Sequence, residues 1–181
     1  RDYLIIDTRN EYEIGIGTFK NSHNPKTRSF RDFPKHIENS EIDKNQPIAV
    51  SCTGGIRCEK ASSYLINKGY KNVSQLDGGI LNYLEYKKNK KINNWSGECF
   101  VFDNRISIDK NLNKGLHDQC YGCRHPITKA DMKLKSYVKG ASCKYCIKNK
   151  SEKKITSSLV RQKQIDTAEK EKKKHSFKKI Y

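Results

Sequence analysis

The sequence predicts an α/β fold, a doubly wound parallel sheet, with a small cysteine-rich appendage and a basic C-terminal tail. Through about residue 90, short apolar runs that end in polar residues alternate with segments of helical character. That alternation is the pattern of strand–helix–strand units. Two Cys-x-x-Cys pairs stand beyond it, and a lysine-rich end follows them. A chain of 181 residues holds one packed domain of about 100 to 150 residues and an attachment, not two full-sized domains. The expected division is an α/β domain over 1–90, a β-rich and cysteine-paired segment over 91–147, and a basic tail over 148–181. The chain opens on Arg1 almost directly before an apolar run, so a missing upstream portion is expected.

Tyr3 to Asp7 (YLIID) and Pro47 to Ser51 (PIAVS) read as buried parallel strands, and Val73 to Leu76 as a third. Helix-type segments lie between and after them: Phe30 to Ile37, then Glu59 to Asn67, where Ala61, Tyr64 and Leu65 can share one face, then Ile80 to Tyr86. Gly69 stands where a helix C-cap is needed, and Gly78-Gly79 makes a tight entry to the last helix. In such a sheet, ligands bind beyond the C-terminal ends of the strands. Glu98 to Ile108 (ECFVFDNRISI) has the alternation of a short β-rich stretch.

The formal net charge of +17 attracts polyanions and raises their encounter rate, which points to nucleic acid as a partner. A lysine- and asparagine-rich composition alone would also yield many solvated surface lysines. Residues 147–181 hold eleven Lys and one Arg against Glu152, Asp166, Glu169 and Glu171. With so few apolar residues, that tail is expected to be disordered or a lone helix. No stretch approaches the roughly 20 apolar residues that cross a bilayer, so no membrane partner is expected. The odd count of seven cysteines, four of them in close pairs, fits metal binding in a reducing cytoplasm better than a secreted disulfide framework.

The segment that carries chemistry is Ser51-Cys52-Thr53-Gly54-Gly55-Ile56-Arg57-Cys58, where a buried strand turns into a helix. A thiolate at Cys52 would sit above a ring of backbone N–H groups and at the positive end of the helix, and both favour its ionised form. Gly54 and Gly55 let the backbone curl so that its amides point inward. Thr53, Gly54, Gly55, Ile56, Arg57 and Cys58 thus form a candidate anion cradle around the nucleophile, with Arg57 adding a permanent charge and a fork of donors. Cysteine phosphatases place the arginine six residues after the nucleophile. Here Arg57 follows by five and Cys58 occupies the sixth position, a narrower loop that suits a sulfur atom better than a phosphate. Cys58 reads equally well as packing at the helix start or as a resolving thiol for Cys52.

These residues resemble the rhodanese superfamily, whose loop opens with a persulfide-carrying cysteine. Asp7-Thr8-Arg9 with Glu13 looks like the family's acidic motif after an early strand, and Leu76-Asp77-Gly78-Gly79-Ile80 like its closing motif. The chain reads Gly17-Thr18-Phe19 where many rhodaneses read Gly-His-Ile. A closer resemblance is to the bacterial oxygen-dependent tRNA uridine hydroxylases, a rhodanese-domain family. It rests on Asp7 to Asn10 with Tyr12-Glu13, on Phe30-Arg31-Asp32-Phe33-Pro34, on the block Cys52 to Ser62, and on Gly97 to Asp103. The resemblance implies a rhodanese-like fold without the family's N-terminal domain. It also implies an oxidoreductase that forms 5-hydroxyuridine at the wobble position of tRNA, with Cys52 as the catalytic residue and molecular oxygen as co-substrate. The alternative is a sulfurtransferase that passes persulfide sulfur from Cys52 to an acceptor, and a third reading is a non-catalytic RNA-binding module. There is no Rossmann glycine fingerprint and no haem or non-haem iron spacing, so no nucleotide or flavin cofactor is indicated.

Cys120-x-x-Cys123 and Cys143-x-x-Cys146, nineteen residues apart, match the two-knuckle spacing of a structural zinc site. Zinc would supply folding energy to a segment with too little apolar content for a core of its own. Cys99, in an alternating strand, reads as small apolar filling. Tyr121 and Tyr145, inside the knuckles, could stack on unpaired bases or pack the knuckle. Neither the oligomeric state nor the identity of the tRNAs is written in the chain.

Overall fold

The computed structural model describes residues 3–88, 90 and 94–171. The chain divides into two compact units, residues 1–115 and 116–181.

The first unit is built on a parallel sheet of three strands, β1 (Leu4–Asp7), β3 (Ile48–Ser51) and β4 (Val73–Gln75), in the order β1-β3-β4. Leu4 lies opposite Ile48 and Asp7 opposite Ser51, so the two strands end level. His23 adds a parallel bridge to Ile6 on the outer edge of β1. Apolar side chains alternate along these strands and both faces are covered. On one face Ile6, Ile48 and Val50 pack against Phe33 and Ile37 of α2 (Phe33–Glu38) and Ala61 and Leu65 of α3 (Ile56–Asn67). On the other, Ile5 and Leu76 pack against Ile80 and Leu84 of α4 (Gly79–Lys87). This two-sided burial is what makes β1 and β3 nearly continuous apolar runs, whereas the edge strand β4 exposes Ser74 and Gln75.

Two short elements escaped the sequence reading, α1 (Glu11–Ile14) and β2 (Gly17–Phe19), each too brief to show a period. Strand β2 pairs antiparallel with β5 (Trp95–Gly97), placing Gly17 opposite Gly97. A Cβ on Gly17 would fall 2.3 Å from the carbonyl oxygen of Glu98, so only glycine permits this approach. The hairpin of β6 (Cys99–Phe100) and β7 (Ser107–Ile108) then covers the α4 side of the core with Cys99, Val101 and Ile108. Residues 94–115, assigned from sequence to the appendage, therefore lie in the first unit. Their apolar side chains complete a core that α4 alone leaves open.

The second unit contains the hairpin of β8 (Asp118–Gln119) and β9 (Pro126–Ile127) and a small core of Cys120, Ile127, Cys143 and Cys146. Its long helix α5 (Glu152–Lys170) starts at Ser151, whose hydroxyl accepts from the Lys154 N–H. No residue of α5 is buried, yet the helix is tied to its own unit, since Lys139 Nζ donates to Asp166 at 2.8 Å. The last part of the basic tail, 172–181, lies outside the described residues.

Candidate active site and cysteine cluster

Cys52 directly follows β3 and is 2% exposed. The loop turns at Gly55, whose φ of 91° is the left-handed conformation glycine adopts freely, and α3 begins at the next residue. The Gly55 N–H donates to Cys52 Sγ at 3.1 Å, and the Cys58 thiol donates to the same sulfur at 3.3 Å. The Cys52 thiol is lowered to about 5, chiefly by the bond from Cys58; the backbone N–H groups of Cys58, Arg57 and Gly55 assist and burial opposes. The same bond, with burial, raises Cys58. The two shifts oppose each other because one proton lies between the two sulfurs, and they make Cys52 the partner that ionises the more readily.

The loop's carbonyls are held outward by α4. Ile80 N–H donates to the Cys52 carbonyl at 2.9 Å and Leu81 N–H to that of Thr53 at 3.1 Å. With the carbonyls turned away, the amides face the sulfur. Gly79 makes the contact possible: its φ is 69°, and a Cβ there would lie 2.6 Å from the Cys52 carbonyl oxygen.

An acidic frame lies beneath the loop. Glu13, fully buried, accepts both arms of the Arg57 guanidinium at 2.7 Å and also the Asn10 N–H at 3.0 Å. Asp7 takes Arg9 in a second buried fork, with 2.6 Å from Nη2, and the same Nη2 reaches the Gly17 carbonyl at 2.6 Å. Thr18 Oγ1 donates to Asp7 as well, and Thr8 Oγ1 donates to the Ser51 carbonyl at 2.9 Å. Sequence reasoning placed Arg57 as a donor fork for an intermediate. In the structure the fork is occupied by Glu13, and Arg57 acts on Cys52 through its backbone N–H.

The other loop residues have separate places. Thr53 is buried with its hydroxyl 3.4 Å from the Phe100 carbonyl, Gly54 faces open space, and Ile56 is 73% exposed. Phe102, whose ring stands 5.8 Å from the Arg57 guanidinium, is exposed and was not singled out from sequence. Cys99 is in the core, and burial pushes its thiol up to about 12.

In the second unit, the sulfurs of Cys120, Cys123, Cys143 and Cys146 all lie within 4.8 Å of one another. Cys123 and Cys143 are 3.7 Å apart, and Cys143 and Cys146 4.0 Å. A tetrahedral ion with four ligands at about 2.3 Å would set its sulfurs about 3.8 Å apart. The cluster can hold a metal ion.

The family model of the rhodanese-like domain matches residues 1–86 of this chain. The whole chain is also similar to a particular enzyme, the tRNA uridine(34) hydroxylase of Pelagibacter ubique, at 50% identity over 181 residues. The chain spans 59% of that relative's length. Among solved structures it resembles the rhodanese-like domain of an Anabaena protein, with 21% identity, 47% of this chain, 93% of that one and a TM-score of 0.41. It also resembles thiosulfate sulfurtransferase from Pseudomonas aeruginosa, with 22% identity, 48% of this chain, 16% of that one and a TM-score of 0.41. Among the described residues no helix is long and apolar enough to cross a membrane.

Proposed function

We propose that this chain carries the catalytic domain of a cytoplasmic oxidoreductase that hydroxylates uridine 34 of tRNA, with Cys52 as the catalytic residue and molecular oxygen as co-substrate. The observation that carries the reading is the 50% identity, sustained along all 181 residues, to an enzyme named for that reaction. A complete thiolate loop and a net charge of +17 suited to an RNA substrate support it. Conversion of C–H to C–OH by O2 leaves one oxygen atom to be reduced to water with two electrons and two protons. The Cys52 thiolate and Cys58 thiol, 3.3 Å apart, release two electrons and one proton on forming a disulfide, and solvent supplies the second proton. An external thiol would then restore the pair.

Zinc is the metal we assign to the cysteine cluster, because four thiolates at these separations suit a closed tetrahedral site. Such an ion would fix both knuckles and leave no position open for chemistry.

The deciding measurement is nucleoside mass spectrometry of tRNA from cells with the intact gene, without it, and with Cys52→Ala. Loss of 5-hydroxyuridine in both altered strains is expected. Unchanged 5-hydroxyuridine with a fall in thiolated nucleosides would overturn the reading in favour of sulfur transfer by a Cys52 persulfide.

A further inference from the structure

We propose that the second unit carries its own binding site for single-stranded RNA, in a groove of about 460 Å³ between the cysteine knuckles and α5. One wall is the helix and the residues just before it. Lys154, Ser158 and Arg161 of α5 line the groove at helical spacing, and Lys150 lines it from the extended segment just before the helix. The acidic residues of α5, Glu152, Asp166 and Glu169, all lie outside it, and no carboxylate lines the groove. A helix that carries both signs of charge thus turns one stripe of pure positive charge inward, which is a phosphate-binding pattern.

The opposite wall supplies aromatic faces. Tyr121 and Tyr145 project from the two knuckles and are 68% and 48% exposed. One face of Tyr145 is covered by His125, with ring centroids 4.1 Å apart. The backing ring braces Tyr145, while the open ring of Tyr121 is available to a base. Lys150, which also lines the groove, donates to the Ala141 carbonyl. Exposed tyrosines beside cations recognise bases that are not paired in a duplex, because a paired base keeps its faces stacked within the helix. The volume falls in the range of about 300–1,000 Å³ typical of small-ligand clefts, enough for one or two nucleotides.

The choice of RNA rests on the tRNA reading, whereas the site rests on the groove. The test is fluorescence anisotropy of the zinc-loaded full chain with a fluorescein-labelled oligouridine strand. Lys154→Glu with Arg161→Glu is expected to weaken binding by about tenfold or more and to flatten the salt dependence. Lys153→Glu with Lys163→Glu makes the same charge change outside the groove and should cost less than about threefold. Tyr121→Ala should lose about fivefold or more through stacking, with Tyr121→Phe retaining it. Equal losses from the two charge-reversal pairs, no loss with Tyr121→Ala, or equal affinity for an RNA duplex of the same length would overturn the site. Binding is read without turnover, so these failures are distinguishable from loss of 5-hydroxyuridine in the Cys52→Ala strain.

Discussion

Removing the Cys58 thiol should raise the pKa of Cys52, and the structure sets the size of the effect. Cys58 donates the largest single stabilising bond to the Cys52 sulfur, across 3.3 Å. A hydrogen bond to a charged group is worth about 1.5–3 kcal/mol, and each pH unit corresponds to about 1.4 kcal/mol. Cys58→Ala should therefore move the Cys52 midpoint up from about 5 by roughly one to two pH units. Cys58→Ser restores a donor at the same position and should keep the midpoint low. The assay is the rate of iodoacetamide alkylation at Cys52 against pH, read by peptide mass spectrometry. An alanine variant that titrates like the parent would refute the shared-proton account and leave the backbone amides as the whole cause. A serine variant that titrates like alanine would show that the effect is packing.

Glu13→Gln leaves the Arg57 guanidinium without its anion. Breaking a buried pair costs about 3–5 kcal/mol, and the Arg57 side chain keeps 18% exposure, so the lower figure is expected in urea unfolding. Gly79→Ala forces a Cβ against the Cys52 carbonyl at a left-handed φ, and should cost more than about 2 kcal/mol and raise the Cys52 alkylation midpoint. The lowered Cys52 pKa makes folding stability pH-dependent. A depressed value stabilises fully above the unfolded value of about 8.5 and loses that contribution as pH falls through about 5. Stability should rise with pH across that window, and Cys52→Ser should flatten the rise in denaturation midpoints. Metal removal by a chelator, or Cys143→Ser, should abolish hydrogen-exchange protection in 116–171 while 3–115 keep theirs. Protection that survives in both units would exclude a structural metal.

Much of the site was legible because its determinants are local. Cys52, Gly55 and the start of α3 at Ile56 lie within one short stretch of chain, so strand end, glycine turn and helix N-terminus follow from residue types at fixed offsets. Strands β1 and β3 were legible for a related reason: burial on both faces leaves an apolar run visible in the chain. Likewise the two Cys-x-x-Cys pairs are visible because each spacing is local in the chain.

Only the tertiary structure decided what depends on residues far apart. Glu13 lies 44 positions from Arg57, and nothing in either neighbourhood says that the arginine fork is spent on that buried carboxylate rather than left open to a ligand. The 3.3 Å separation of Cys52 and Cys58 depends on how the loop winds into α3 under the grip of α4. Strand β5 joined the first unit because Gly17 and Gly97 let two backbones approach at a distance that side chains would forbid. The sequence by itself determined which atoms could react, since reactivity begins with residue type and local backbone. The fold decided which charges were already neutralised and which thiol of the pair ionises the more readily, because electrostatic energies depend on distance and burial, and a linear chain encodes neither at long range.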